Sequence, residues 1–353
     1  MKLAEARIGY AGYSRDFSVP GDRRRFPAYA RLKGIPFGYA ELNRPYDLAY
    51  LTYSSDLPGW VARKRREGPG LKLIFELIDS YLTETDRTRR LLKGSGRFAL
   101  GTDSRLAPDL LKTLVSACEV ADAVICSTEE QRETILRYNP NVFISFDHFT
   151  SELGPPKMDY RRGAKLKIVW EGQSTTLPNI QVIRGPLNDL RDRVELHVVT
   201  DPVIRRFFGR FGSYPTMDAL AGIECDKHFH RWDRATFSTR VTDCDVAVIP
   251  IDASNRMAHG KPENKLVLLW QLGMPVVTSD TPAYQRTMAA AAVDMTCSTS
   301  AEWGARIERL IAADQPSLEQ IGRQCRTFAE RAYSSAEFAR RFDQAFEAIG
   351  FSA

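Results

Sequence analysis

Residues 232–284 read WDRATFSTRVTDCDVAVIPIDASNRMAHGKPENKLVLLWQLGMPVVTSDTPAY. Asp245–Pro250 is an apolar run closed by a proline, the pattern of a strand buried on both faces. The polar stretch Asp252–Gly260 beyond it reads as a loop. A helix is expected over Lys261–Leu272, because proline is tolerated in a first turn and Gly273 supplies the stop. Met274–Thr278 then reads as a second buried strand. Strand, loop, helix and strand in this order form the repeating unit of a parallel sheet. A helix starting beyond a strand's carboxyl end offers N–H groups and a positive dipole there, a place for a diphosphate. On this reading Lys261 and Lys265 lie four apart on one helix face and add two cations. Glu263 and Asn264 stand between them.

Outward from this stretch the same alternation fills the chain. Before it, strands are expected at Arg7–Ala11, Asp47–Tyr53, Leu71–Ile78, Asp122–Cys126 and Asn141–Phe146. Helices are expected at Arg23–Lys33 and Leu106–Glu119. Ser54-Ser55-Asp56 can cap one further helix, and Ser127 or Thr128 with Glu130 or Gln131 another. Thr150–Ala164, with two prolines and two glycines, reads as a linker. Strands resume at Lys165–Trp170, Val194–Val199 and His228–Trp232, and Pro178–Ile183 opens a helix. Helices close the chain at Ala301–Ala312, Ser317–Tyr333 and Ser335–Ile349. The expected fold is α/β, with doubly wound domains over 1–150 and 165–333, a linker over 151–164 and a terminal helix over 334–353. Such sheets bind ligands at the carboxyl ends of their strands, so a tandem pair suggests a cleft between domains.

Composition sets the outer limits. With 353 residues, 43% hydrophobic and 26% charged, the chain supports two soluble cores. No apolar run approaches the roughly 18–20 residues of a membrane span. The opening MKLAEARIGYAG lacks a leader pattern, which points to the cytoplasm. Six scattered cysteines form no CxxC pair and read as buried apolar residues. The net charge is +5, and the positive runs Arg23–Arg25, Arg63–Arg66 and Arg87–Lys93 all lie in the first hundred residues. They suit an anionic membrane surface or an anionic acceptor. Without interleaved aromatics they do not suit nucleic acid.

The order DVAVIP…GKxxNKLxxxxxxGxPVVxS resembles the donor-binding region of GT-B glycosyltransferases, especially the retaining family 4 type, the glycosyl transferases of group 1. The resemblance implies two Rossmann-like domains facing a central cleft, with a C-terminal helix crossing back to the first domain. It implies a nucleotide-sugar donor of UDP, GDP or CMP type, a glycan or lipid-linked acceptor, retention of configuration and no further cofactor. Family 4 enzymes commonly carry two glutamates eight apart here; this chain has Gly260 and Leu268, and Glu263 is the nearby carboxylate. The loop Gly172, Gln173, Ser174 and Thr175 stands where the family's glycine-rich loop approaches the donor phosphates. Gly9 and Gly12 form a partial glycine loop, and Ser18–Phe26 resembles an acceptor-side loop that brings Arg24 and Arg25 to the cleft. A base or charge partner is expected at Asp79, with Glu76 and His148 as further candidates.

Other chemistries find less support. Asp243-Cys244-Asp245 matches a D-x-D metal motif, but it lies against a buried strand. Cys225, His228 and His230 lack a fourth zinc ligand, so no metal is expected. There is no G-x-G-x-x-G fingerprint for a dinucleotide and no Ser/His/Asp constellation. Two alternatives to glycosyl transfer stay open: a nucleotide-sugar epimerase of the same fold, and a non-catalytic nucleotide-sugar-binding protein.

Overall fold

A computed structural model of the chain describes residues 1–149, 153–205 and 212–352. It divides into two compact units: Met1–His148 with His259–Pro262 and Tyr333–Ala353, and Phe149–Ala258 with Glu263–Ala332.

The first unit holds a six-stranded parallel sheet. Its strands are β1 (Ile8–Ala11), β2 (Gly38–Tyr39), β3 (Leu48–Thr52), β4 (Lys72–Glu76), β5 (Ala123–Cys126) and β6 (Val142–Ile144), in the order β2-β1-β3-β4-β5-β6. β1, β3 and β5 are buried throughout, because both faces are covered. On one face Tyr10, Tyr50, Ile74 and Ile125 meet Phe26 and Tyr29 of helix Phe26–Lys33 and Phe338, Phe342 and Phe346 of helix Ser335–Ala348. The spacing of those three phenylalanines is one helix stripe, and each contributes roughly 1.5–3 kcal/mol on burial. Tyr29 also donates to Asp343 at 2.7 Å and stacks on Phe342. The opposite face packs Leu51, Leu73 and Phe75 under Trp60 of helix Leu57–Glu67 and Leu114 of helix Leu110–Val120.

Several expected elements shift. The helix read over Arg23–Lys33 is two pieces, Pro20–Arg23 and Phe26–Lys33, with Arg25 between them at φ −117°, ψ −129°. The break lets Pro27 fall in a first turn, where its missing N–H costs nothing. Leu106–Glu119 becomes Leu110–Val120, capped by Asp109, which accepts from the Leu111 amide at 3.0 Å. Thr128 caps its helix as expected, and Gln131 returns a bond from the Ser127 amide at 2.8 Å. Only half of the basic run Arg63–Arg66 is solvated: Arg65 and Arg66 are exposed, whereas Arg63 and Lys64 are buried. Arg63 is buried, paired to Glu67 at 2.9 Å and lying over Trp60. Lys64 donates to Leu71 O at 2.6 Å and to Asp122 at 2.7 Å. The run Arg87–Lys93 opens a helix over Arg87–Ala99.

The second unit repeats the architecture. Its strands are β7 (Leu166–Glu171), β8 (Val194–Thr200), the antiparallel pair β9 (Val203–Arg205) and β10 (Ser213–Pro215), β11 (Asp226–Arg231), β12 (Val246–Ile249), β13 (Val276–Ser279) and β14 (Thr296–Cys297). The six-stranded sheet runs β11-β8-β7-β12-β13-β14, all parallel. Within 150–164, residues 150–152 lie outside the described residues, and the later ones pack on this unit. Lys157 donates to Thr242 O and Cys244 O at 2.9 and 2.8 Å, and Tyr160 to Gly273 O at 2.8 Å. The helix expected from Lys261 begins at Asn264 and runs to Gln271. The residue before a proline is disfavoured in helical geometry, so Lys261 stays outside and does not share a face with Lys265. Gly273, at φ +76°, ends the helix as expected. No helix among the described residues is long and apolar enough to cross a membrane.

Candidate functional site

In the second sheet, β7 is followed by β8 on one side and β12 on the other. The strand order reverses there, and the crevice outside the carboxyl ends of β7 and β12 is the place such sheets offer a ligand. Gly172 follows β7 directly, and the loop after β12 leads to helix Asn264–Gln271. Topology therefore brings the two sequence candidates together.

Their geometry is specific. Gly172 has φ +154°, and a Cβ built on it would collide with the Lys265 ammonium. The backbone angle is one that side-chain-bearing residues rarely adopt, and it is this that favours glycine here. The ammonium also lies 4.7 Å from the centroid of the Trp170 ring, a cation–π contact that holds the charge at the loop. Thr200 Oγ1 donates to Gly172 O at 2.6 Å, and Ser174 Oγ to Val203 O at 3.1 Å, so the Ser174 hydroxyl braces the loop. Gln173 and Thr175 are exposed. Among the described residues nothing accepts from the amides of Gln173, Ser174 and Thr175. Three successive amide donors, an ammonium and a helix start are groups of the kind that anions bind. Glu263 is the residue before that helix, and its side chain caps no amide. Beyond β12 the loop is tied down by Ser279 Oγ, which accepts from the Ile251 amide at 2.8 Å, and by Asn179, which accepts from the Asp252 amide at 3.2 Å.

The first sheet reverses its order between β1 and β3, and its crevice is built differently. Asp22, fully buried, accepts from Tyr10 OH at 2.7 Å, the Tyr13 amide at 2.8 Å, and the Ser14 amide and hydroxyl at 2.9 and 3.0 Å. A side chain at Gly12 would strike that carboxylate. Thr52 and Ser55 hydroxyls both donate to Ala11 O, at 2.8 and 3.0 Å. The glycine loop after β1 thus spends these amides on its own carboxylate.

The remaining candidates of this unit divide. Asp79 lies exposed beyond the end of β4, where the sequence placed it. Arg25 does not reach solvent. It is fully buried, with Nε 2.8 Å from Glu76 and Nη1 donating to Ser145 O at 3.1 Å. Burial opposes its charge, but Glu76 and Asp147 outweigh that and hold the guanidinium protonated. Arg25 and Glu76 are therefore a structural pair. Arg24 lies 3.9 Å from Asp147. His148 sits against Ser335 Oγ at 2.9 Å and stacks on Phe338, and burial holds its imidazole below the usual range.

Among the metal candidates, Asp245 is buried and accepts from the Lys167 amide at 2.8 Å, a structural bond. His228 and His230 do not join Cys225, whose buried thiol is pushed up by desolvation. They meet His197: His197 Nδ1 is 3.0 Å from His230 Nε2, and His197 Nε2 is 3.2 Å from Glu195. Glu195, His197 and His228 have ligand atoms within 4.8 Å of one another and could hold a metal ion. The register sets His197 opposite His228 and Glu195 opposite Asp226, with His197 at the middle of β8.

No family model and no curated protein matches the chain. Solved structures do. Anabaena HepE, in a complex with UDP and glucose, superposes with a TM-score of 0.61 at 11% identity, covering 97% of this chain and 100% of that one. Sucrose-phosphate synthase from Thermosynechococcus elongatus gives 0.59 at 16% identity, covering 92% of this chain and 76% of its own. S. aureus TarM gives 0.60 at 12% identity over 86% of this chain; the chain spans 54% of the TarM length.

The fold is GT-B.

Within this GT-B chain the two positions where family 4 carries glutamate are built for packing. A side chain at Gly260 would overlap Ser80 Oγ and press on Gln131, whose Nε2 donates to Gly260 O at 3.0 Å. Leu268 is buried in its helix. Trp170 and Asp22 were not singled out from sequence. Trp170 carries a signal in retrospect, an indole two residues before the glycine loop; the four bonds of Asp22 carry none.

Proposed function

We propose that the chain is a glycosyltransferase that moves a sugar from a nucleotide-sugar donor to a glycan or lipid-linked acceptor, with retention of configuration and without a metal. The observation that carries this is the arrangement of Gly172, the amides of residues 173–175 and Lys265 at the switch point of a GT-B domain. A departing nucleotide diphosphate develops negative charge, and preorganised amide dipoles and an ammonium stabilise it more in the transition state than in the ground state. UDP is the first nucleotide to test, because the HepE structures hold UDP and UDP-glucose. Asp79 is the proposed charge partner at the anomeric carbon. A role in cell-envelope polysaccharide synthesis at the inner face of a membrane completes the reading.

The non-catalytic alternative rests on Gly260 and Leu268, which leave the nucleotide's ribose without the family's carboxylate. One experiment separates the two. In a thermal-shift panel of UDP, GDP, CMP and ADP, one nucleotide raises the melting temperature. The matching donor sugars are then incubated with protein and EDTA. Slow release of nucleotide from one donor supports transfer. Binding with no release under any condition supports the alternative, and epimerised donor would replace both.

A further inference from the structure

Of the eleven exposed large apolar side chains among the described residues, five fall between positions 91 and 106: Leu91, Leu92, Phe98, Leu100 and Leu106. Leu92 is 69% and Leu106 61% exposed. Three of the five lie on helix Arg87–Ala99, whose sides are inverted. The side held to the unit is polar or small. Arg90 pairs with Asp109, Gly94 packs on the Ala107–Pro108 backbone, and Arg97 binds Asp103 at 2.8 Å. With about 100° per residue, Leu91, Phe98, Ala99 and Leu92 form an outward stripe, with only Thr88 and Ser95 among them. Arg87 flanks the stripe on one side, and Arg89 and Lys93 on the other.

Cations gather around it. Arg65, Arg87 and Arg105 have no carboxylate partner among the described residues. They line a 580 Å³ groove beside the helix, whose wall includes Val61 and Leu91. An apolar stripe between cationic borders is the pattern of a helix lying in the plane of a bilayer surface. A protein partner would need a complementary apolar and acidic face; a bilayer of anionic phospholipid supplies both layers at every point.

We propose that helix Arg87–Ala99 and the following loop to Leu106 are a membrane-docking surface. Leu91, Leu92, Phe98, Leu100 and Leu106 enter the headgroup–acyl boundary of an anionic phospholipid bilayer, and Arg65, Arg87 and Arg105 bind headgroup phosphates. Lys93 lies 5.8 Å from the ring of Tyr81, two residues after Asp79, so the surface adjoins that loop within the same unit. Only the corollary of a lipid-borne acceptor rests on the glycosyl-transfer reading.

The test is flotation of the full chain with phosphatidylglycerol/phosphatidylcholine vesicles. Binding is expected at low salt, with a residue of binding at about 1 M salt, where screening reaches about 3 Å and only apolar insertion remains. Leu92→Ser with Phe98→Ser, both exposed, is expected to weaken binding about tenfold or more at every salt concentration. Arg87→Gln with Arg105→Gln is expected to weaken it at low salt alone. All six native cysteines are buried, so a Leu92→Cys variant takes an environment-sensitive fluorophore at one site, and its emission is expected to shift blue on vesicles. No binding, binding that survives the double serine change, or a label that stays in water on bound protein would each overturn the proposal. So would a dimer in light scattering that the serine variant abolishes, which would assign the stripe to a second copy. Donor hydrolysis by the serine variant is expected at the wild-type rate, so failure of docking and failure of the transfer reading are separate results.

Discussion

The two units place a glycine-containing loop at the same topological point and use it in opposite ways. After β1, the amides of Tyr13 and Ser14 end on the buried Asp22 carboxylate. After β7, the amides of Gln173, Ser174 and Thr175 find no acceptor among the described residues, and the nearest cation is Lys265. Both sheets are parallel and six-stranded, so strand order alone cannot say which crevice binds an anion. The side chain that answers the loop differs: a carboxylate closes one, and an ammonium lies at the other, where the proposed function puts a donor phosphate.

The largest effect should come from removing the closing carboxylate. Asp22→Ala leaves two amides and two hydroxyls without their acceptor, at a cost of about 1–3 kcal/mol for each donor that stays buried and unpaired. Chemical denaturation should register that loss, while nucleotide affinity of the remaining folded protein stays at the wild-type value. A fall in affinity as large as the fall in stability would mean that the two crevices are not independent.

Lys265→Ala should do the reverse. Loss of one preorganised charge at a leaving group costs on the order of a hundredfold in turnover, or about 2.7 kcal/mol. The lysine is not part of a core, so the melting temperature should hardly move. Lys261→Ala should cost less, because Lys261 lies outside helix Asn264–Gln271. Wild-type turnover in a folded Lys265→Ala variant would remove the phosphate role from this site, and equal losses from both lysines would restore the shared helix face.

The sequence carried most of the fold for a local reason. Runs such as Asp245–Pro250 and Leu71–Ile78 are apolar because both sheet faces are covered, and that pattern needs no partner to be read. The loop at Gly172 and the charge at Lys265 were legible too, through the strand–loop–helix order around each. Arg25 was misread because its partner Glu76 lies far along the chain, and Arg63 and Lys64 because their acceptors include backbone carbonyls of other loops. A basic run looks the same whether its charges meet water or a buried carboxylate. Helix Arg87–Ala99 showed its cations in the sequence, but the outward direction of Leu92 and Phe98 needed the fixed positions of Gly94 and Arg97.

The central claim is that a donor phosphate is held by the open loop of the second unit. Hydrogen–deuterium exchange of the full chain, with and without the nucleotide selected by the thermal-shift panel, tests it at the amides themselves. The account predicts slowed exchange in the peptide spanning Gln173–Thr175 and no change in the peptide spanning Tyr13–Ser14. Protection at Tyr13–Ser14, or saturating nucleotide with no protection at Gln173–Thr175, would contradict it.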